Sequence, residues 1–422
     1  MVDLRQAVTQ GLAPDNGLYM PERIPLLPKE FFDTIHQRSF REIALTVTQN
    51  LIGDDIPSGD LKRIVDYTIQ FEAPVVPVEK DVYSLELFHG PTLAFKDFGA
   101  RFMSQLLGYF AQQQQQEIVI LVATSGDTGS AVANGFLGVP GTRVVVLYPS
   151  GKVSDIQEKQ FTTLGQNITA IEVSGTFDDC QQLVKEAFLN EDLRKKFFLT
   201  SANSINIARL IPQSFYYFNA YAQLNTNKPL VFSVPSGNFG NITGGLLAKR
   251  MGLPIHKFIA ATNINDVVPE YLQHGSFHPR PSKQTISNAM DVGNPSNFVR
   301  ILNLYQGDFA ALSHDIIGYA FSDQQTREAM RDVYSKYGYI LDPHGAIGYL
   351  GLKKYMNDTR DQVAGVFLET AHPAKFKEVV EETLRDTIPL PPALLKFMKH
   401  EKRTIQIGSG FLSFKKFLLE TF

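Results

Sequence analysis

The sequence predicts an α/β protein with open, mainly parallel sheets in two units and a helical region ahead of them. Three observations predict it. Seven apolar runs of strand length, at 84–88, 118–123, 143–148, 168–173, 230–234, 258–262 and 365–369, alternate with helical stretches. Runs that are apolar at nearly every position fit strands covered on both faces, as parallel βαβ units require. The first 80 or so residues lack such runs and read as mostly helical. Loops rich in Gly, Ser and Thr follow two of the runs, where an open α/β sheet puts its ligands.

The clearest helical stretches in the N-terminal region are 31–37 and 41–51. Asp15-Asn16-Gly17 is turn chemistry, and Pro21, Pro25 and Pro28 break any element between Tyr19 and Glu30. The extended, proline-punctuated stretch 71–78 marks a boundary. We expect a helical unit at 1–80, an α/β unit at 81–215, a second α/β unit at 216–386 and a C-terminal tail at 387–422. Gln112 to Gln116 is an exposed loop or helix end. Pro389, Pro391 and Pro392 close the last α/β unit, and a charged helical tail follows.

Composition narrows the classes. The chain has 422 residues, enough for two or three units, with 44% hydrophobic and 20% charged residues as in a soluble enzyme. Lys plus Arg is 40 against 43 for Asp plus Glu, a balance without the basic footprint of a nucleic-acid or anionic-membrane binder. The single cysteine, Cys180, cannot form an intramolecular disulfide or a Cys-cluster metal site and fits a reducing compartment. The N-terminus shows no secretory signal and the apolar runs fall short of a membrane span, so the cytoplasm is the expected location.

The loop 121–130 runs from a strand through Thr124, Ser125, Gly126, Asp127, Thr128 and Gly129 into a helix expected near Ala131. The loop 231–241 does the same through Gly237, Asn238, Phe239, Gly240 and Asn241 before a helix expected at 242–251. Glycines let the backbone come close, and unpaired N–H groups at a helix start make an anion site. Alone, either loop is a tight βα connection closed by an N-cap. Two in one chain, both with hydroxyls beside glycines, point to two phosphate-like groups. Neither is a P-loop, since Gly151-Lys152 is followed by Val153 without the upstream glycine. No Gly-x-Ser-x-Gly elbow occurs, and His274 and His278 sit beside Gly275 and Pro279 with no glutamate between them, so no metal site is expected.

Lys96 lies among Leu93, Ala94, Phe95 and Phe98. A lysine ordinarily sits in solvent. A desolvated one has its pKa pushed down, which frees the amine to act as nucleophile or base. With two anion loops in the same fold, a Schiff base to a phosphorylated aldehyde cofactor becomes the economical reading, and pyridoxal phosphate needs such a lysine, a phosphate cradle and a ring-nitrogen partner.

The segment 86–102 closely resembles the pyridoxal-phosphate lysine motif of the threonine synthases. The resemblance runs along nearly the whole chain, through Gly11-Leu-Ala-Pro-Asp-Asn-Gly-Leu-Tyr19, Thr124-Ser-Gly-Asp-Thr128, Asn203-Ser-Ile-Asn-Ile-Ala-Arg209, Gly237-Asn-Phe-Gly-Asn241, Asp291-Val-Gly-Asn-Pro-Ser-Asn297 and Glu369-Thr-Ala-His-Pro-Ala-Lys375. It implies the tryptophan-synthase-β-like fold (fold type II of the pyridoxal-phosphate enzymes). It further implies conversion of O-phospho-L-homoserine and water to L-threonine and phosphate by β,γ-elimination and water addition.

Carried over position by position, the resemblance makes Lys96 the Schiff-base and catalytic lysine. Gly237, Asn238, Phe239, Gly240 and Asn241 become the cofactor-phosphate loop, Thr370 the neutral partner of the pyridine nitrogen, and Asp127 a polar partner of the phenolic oxygen. Thr124, Ser125, Thr128, Asn203, Ser204 and Arg209 become the substrate pocket, with Arg209 on the substrate phosphate. Plainer readings stand beside these. Asn203, Ser204 and Asn206 are also turn and cap residues, Arg209 also suits a surface ion pair, and Thr370 also suits an N-cap ahead of Pro373.

The stretch upstream of Gly11 is short for this family, and Gly345 stands in Pro343-His-Gly-Ala-Ile-Gly348 where many relatives have Thr. His89, His344 and His372 lie in motifs without a role that the residues define. The same cofactor on a related chain also serves phospholyases that yield 2-oxobutyrate and cysteate synthases, and a rival of another class is a non-catalytic ligand-binding module that has kept the fold. Retention of Lys96, both glycine loops and Thr370 speaks against the last. Monomer and homodimer both remain open.

Overall fold

The computed structural model describes residues 1 to 422 except Asn225. The apolar runs all form strands: β2 (Val82–Glu86), β3 (Ile118–Ala123), β4 (Thr142–Pro149), β5 (Ile168–Ser174), β7 (Leu230–Pro235), β8 (Ile255–Thr262) and β10 (Ala364–Glu369). Four more strands complete the sheets: β1 (Val75–Glu79), β6 (Phe198–Ser201), β9 (Ile316–Ala320) and β11 (Ile405–Gly408). One sheet has the order β1-β2-β10-β7-β8-β9 and the other β11-β5-β4-β3-β6. Every pairing is parallel except β1 with β2. β3 and β7 are buried at every position, as central strands with helices on both faces must be.

The units interleave. β2 falls within the expected 81–215 unit, yet it pairs with β10 of the six-stranded sheet, Val82 opposite Gly365 and Glu86 opposite Glu369. The C-terminal segment is more than a helical tail. After the helix Pro392–Met398 it adds β11 to the five-stranded sheet, pairing Ile405 with Ile171, and ends in the helix Phe411–Thr421. Phe414 and Leu418 of that helix are fully buried in one cluster with Cys180, Leu183 and Val184.

The N-terminal region contributes helices Leu4–Gln10, Lys29–Thr34, Phe40–Ile52 and Ser58–Thr68. Ser39 and Glu42 form a reciprocal capping box at the start of the third, a motif that satisfies two orphan N–H groups. Ile43, Val47, Leu61 and Val65 point into the same core as Phe98, Phe102 and Leu106 of the helix Lys96–Gln114. That helix is buried around most of its circumference, and its Phe102 meets Phe215 edge to face at 5.8 Å. A fully buried Phe, Leu or Val contributes roughly 1.5–3 kcal/mol, so this helix is a rigid mount for Lys96 at its first position. It ends in the polyglutamine stretch, where Gln115 adopts a left-handed conformation.

Two helix starts differ from expectation. The helix after β3 begins at Asp127, not near Ala131, and the helix after β7 begins at Gly240, not Ile242. In the first case Gly129 reads as a breaker but serves close packing, since a Cβ there would sit 2.9 Å from the Thr124 Cβ.

Candidate active site

Lys96 sits where the chain leaves β2 and enters the helix Lys96–Gln114. A backbone clasp fixes it against the end of β10. The Phe95 N–H donates to the Thr370 carbonyl (2.9 Å), the His372 N–H donates to the Leu93 carbonyl (3.0 Å), and Ala94 bridges Ala371. The clasp therefore sets Lys96 and Thr370 in a fixed relation although they lie far apart in sequence. Leu93 within it has φ +56°, and a left-handed non-glycine residue of this kind costs on the order of 1–3 kcal/mol and persists only when its surroundings over-determine it.

Lys96 is mostly buried, and its Nζ lies 3.9 Å from Asp127 Oδ2. Burial lowers its pKa, Asp127 partly restores it, and the positive charges of Lys375 and Arg209 lower it further. The desolvated amine expected from the apolar neighbours is thus present. Burial alone would raise the Asp127 carboxyl, but Lys375 and then Lys96 hold it well below the usual carboxylate range. Lys375 Nζ is 2.7 Å from Asp127 Oδ1, and Gln157 donates to the same oxygen at 2.9 Å. Gly126 turns this corner at φ +142°, and a Cβ there would lie 2.6 Å from Gln157 Oε1.

The loop after β7 presents backbone donors of a kind suited to an anion. Among the described residues, none of the N–H groups of Gly237, Asn238, Phe239, Gly240 and Asn241 donates to a protein acceptor. Phe239 holds φ +61° at the start of the helix Gly240–Arg250, so donors and the positive end of an 11-residue helix converge. Side chains brace the loop. Asn241 donates to the Pro235 carbonyl (2.8 Å), and Asn238 Oδ1 accepts from the Ser296 hydroxyl (3.1 Å). Gly237 lies close against the Ala289 carbonyl, where a Cβ would approach to 2.8 Å.

The loop after β3 is different. Thr124 is buried and its Oγ1 accepts from the Gly126 and Gly129 N–H groups at 2.9 and 2.8 Å. Its hydroxyl therefore shapes the turn. Ser125 is exposed and Thr128 half-buried, and neither hydroxyl has a protein partner among the described residues. The Thr370 hydroxyl is likewise uncommitted, and the cap ahead of Pro373 is made by His372, whose Nδ1 accepts from the Ala374 N–H at 3.1 Å.

Arg209 is no surface ion pair. It is buried, donates to the Ala202 carbonyl at 2.5 Å, leaves Nε without a partner and has no carboxylate within 4 Å among the described residues. Burial lowers its pKa to about 10. Gly99 makes room for it, since a Cβ there would lie 2.8 Å from Arg209 Nε. Asn203 and Ser204 are half-buried in the loop ahead of it, with Ser204 Oγ accepting weakly from Asn297 at 3.4 Å. Asn206 is a structural cap that accepts from the Ala208 N–H and donates to the Val8 carbonyl.

Several residues of the site carried no sequence-level role. Arg300 is buried, has no carboxylate within 4 Å among the described residues, and donates to Asn297 Oδ1 (2.6 Å) and to the carbonyls of Ile205 (2.7 Å) and Tyr19 (3.0 Å), tying three loops together. Glu369 is fully buried, and neither carboxyl oxygen accepts a hydrogen bond. Burial and the nearby Asp342 charge push its pKa well up, which disfavours the ionised form beside Asp342. Asp342 accepts from His344 Nδ1 at 2.6 Å, and His344 Nε2 accepts from the Ala289 N–H at 3.3 Å, which assigns the imidazole proton to Nδ1. His344 thus holds the segment on which Gly237 leans. Gly345 is explained in the same place, because a Cβ there would overlap the Glu369 carboxyl. The signal for Lys375 and Glu369 was their place in one quoted motif. What hid them was the ordinary expectation that lysine and glutamate face solvent.

A buried amine, an unsatisfied N–H cradle and an uncommitted hydroxyl at a strand end define the class. Residues 72–368 match the family model described as pyridoxal-phosphate dependent enzyme, and the donors just described fit that cofactor. Residues 1–69 match the threonine synthase N terminus and residues 345–417 the threonine synthase C-terminal model. The threonine synthase of Escherichia coli strain K12 is 46% identical over 99% of this chain and 96% of its own. That of Haemophilus influenzae is 46% identical over 100% and 97%. The crystal structure of the Escherichia coli enzyme superposes with a TM-score of 0.91 at 45% identity, covering 100% of this chain and 97% of that one. A threonine synthase from Brucella melitensis, solved with pyridoxal phosphate bound, superposes at 0.94 with 34% identity, covering 99% and 96%. The chain belongs to the threonine synthase family.

Proposed function

We propose that the chain converts O-phospho-L-homoserine and water to L-threonine and phosphate, with Lys96 holding the cofactor between turnovers. The observation that carries the reading is Arg209, a buried cation that has no carboxylate partner among the described residues and shares the Lys96 site. It supplies an anion receptor separate from the N–H cradle at 237–241, as a phosphorylated substrate on a phosphorylated cofactor requires. When bound, pyridoxal phosphate supplies an electron sink for charge developing at the substrate Cα.

The chain's own groups do the rest. The cradle at 237–241 anchors the cofactor phosphate and Thr370 meets the ring nitrogen with a hydroxyl, which does not demand that the nitrogen be protonated. Asp127 is the partner of the phenolic oxygen. Lys96, low in pKa, takes the proton from Cα and returns it. Arg209, with Ser125, Thr128, Asn203 and Ser204, binds the substrate and its leaving phosphate.

The test is to incubate the cofactor-loaded protein with O-phospho-L-homoserine and measure phosphate and carbon product together. Equimolar phosphate and threonine is the expected result, lost by at least a hundredfold in Lys96→Ala. Phosphate with 2-oxobutyrate would instead define a phospholyase, and no phosphate from protein that retains cofactor would show that the substrate is another compound.

A further inference from the structure

We propose that Lys375 is a positioning residue which clamps the Asp127 carboxylate, so that the two side chains form one neutral polar unit beside Lys96. The proposal rests on the reading of Lys96 as the cofactor lysine. Lys375 lies on the short turn Pro373–Phe376 that follows β10, and its side chain is wholly buried. Its Nζ makes two contacts, 2.7 Å to Asp127 Oδ1 and 2.7 Å to the Thr92 carbonyl. Gln157, from the helix Asp155–Thr162, donates to the same Oδ1. One carboxylate oxygen is therefore doubly occupied by groups from two other elements, and Oδ2 is left facing Lys96 at 3.9 Å, beyond hydrogen-bond range.

An ammonium buried this deeply is costly unless paired. What this one offsets is a carboxylate in a site built to hold an amine and an electron-rich cofactor oxygen. A bare carboxylate would grip the proton on Lys96 and repel a phenolate oxygen. Pairing with Lys375 offsets part of both effects while keeping a polar acceptor in place. The other charged groups here are Arg209, which adds positive potential at Lys96, and Asp97, which senses Lys375 and Arg101. His372, three residues before Lys375, is kept neutral by burial.

The test uses full-length Lys375→Met, Asp127→Asn and the double variant, read in two ways. In cofactor-free protein, the pH profile of Lys96 acetylation by acetic anhydride is followed by mass spectrometry. In loaded protein, the pH midpoint of the cofactor's visible absorbance is measured. Lys375→Met is expected to raise the Lys96 midpoint by about one pH unit or more, because Asp127 then acts on it unopposed. Asp127→Asn lowers the midpoint, and the double variant returns near wild type. An unchanged midpoint in folded Lys375→Met, or a double variant no closer to wild type than Lys375→Met, overturns the proposal. Should Lys375→Met fail to fold, the double variant is expected to fold because the stranded charge is gone. If it too is unfolded, Lys375 serves packing alone and the proposal fails. A protein that took up no cofactor would count against the functional reading, while the acetylation result would still decide the role of Lys375.

Discussion

Gly345 and Glu369 are complementary in shape, the missing Cβ of one making room for the acid of the other. Gly345→Ser is therefore expected to lower stability by about 1–3 kcal/mol through overpacking, and much less when combined with Glu369→Ala. Chemical denaturation of the two single variants and the double measures this coupling. Two titrating groups oppose each other below neutrality. Burial, eased by two hydrogen bonds from Thr92, raises Asp97 from 3.8 to about 6, so its folded form binds a proton that the unfolded chain has lost and stability falls as pH rises through that window. Burial, aided by His89, lowers His372 from 6.5 to about 4, so the unfolded chain binds the extra proton and stability falls as pH drops through that range. The wild-type profile between these values is expected to be shallow. Asp97→Asn should lose stability more steeply on acidification than wild type, and His372→Asn should gain it, as thermal midpoints across the range would show. At this scale, local features were legible where type and neighbours agreed, as with the desolvated amine of Lys96 among apolar residues or the turn from Gly237 to Asn241 after a strand. The turn-shaping bonds of Thr124 were not legible, because a hydroxyl in a glycine loop serves a ligand or its own backbone equally well.

All seven strands read from the sequence are interior to their sheets, and the four not read, β1, β6, β9 and β11, are the four sheet edges. A central strand such as β3 is covered on both faces and both sides, so its apolar run is unbroken. The edge strands β6 and β11 carry polar residues, and β1 has Pro77, whose ring is tolerated because β1 has one neighbour only. Helix boundaries failed for a related reason: glycines in the first turns serve close approach, not termination. Asn206 connects two elements, capping the helix Ile207–Leu210 while holding the Val8 carbonyl of the N-terminal helix Leu4–Gln10. Asn206→Ala is expected to cost about 1–3 kcal/mol from the stranded buried groups. Because Arg209 follows directly, KM should rise more than kcat falls in a steady-state assay.

The chain passes between the two sheets three times, and Lys96 stands on the first crossing, between β2 and β3, with Thr370 at the end of the strand beside β2. The division of the chain into sequential units was therefore only partly legible, since pairing between distant strands leaves no local mark. No helix among the described residues is long and apolar enough to cross a membrane. The final helix covers Cys180, whose thiol burial pushes up to about 12, so full-length protein should resist a thiol reagent. A chain ending at His400 should react readily, lose β11 and expose the edge of β5. That edge also bears on how the molecule is made. During synthesis β5 emerges long before its neighbour β11, so a nascent or interrupted chain presents an open row of backbone donors and acceptors to other chains. Only the finished chain seals its own edge, and a ribosome stalled late in translation would release a protein with a nearly complete active site and a surface primed to aggregate.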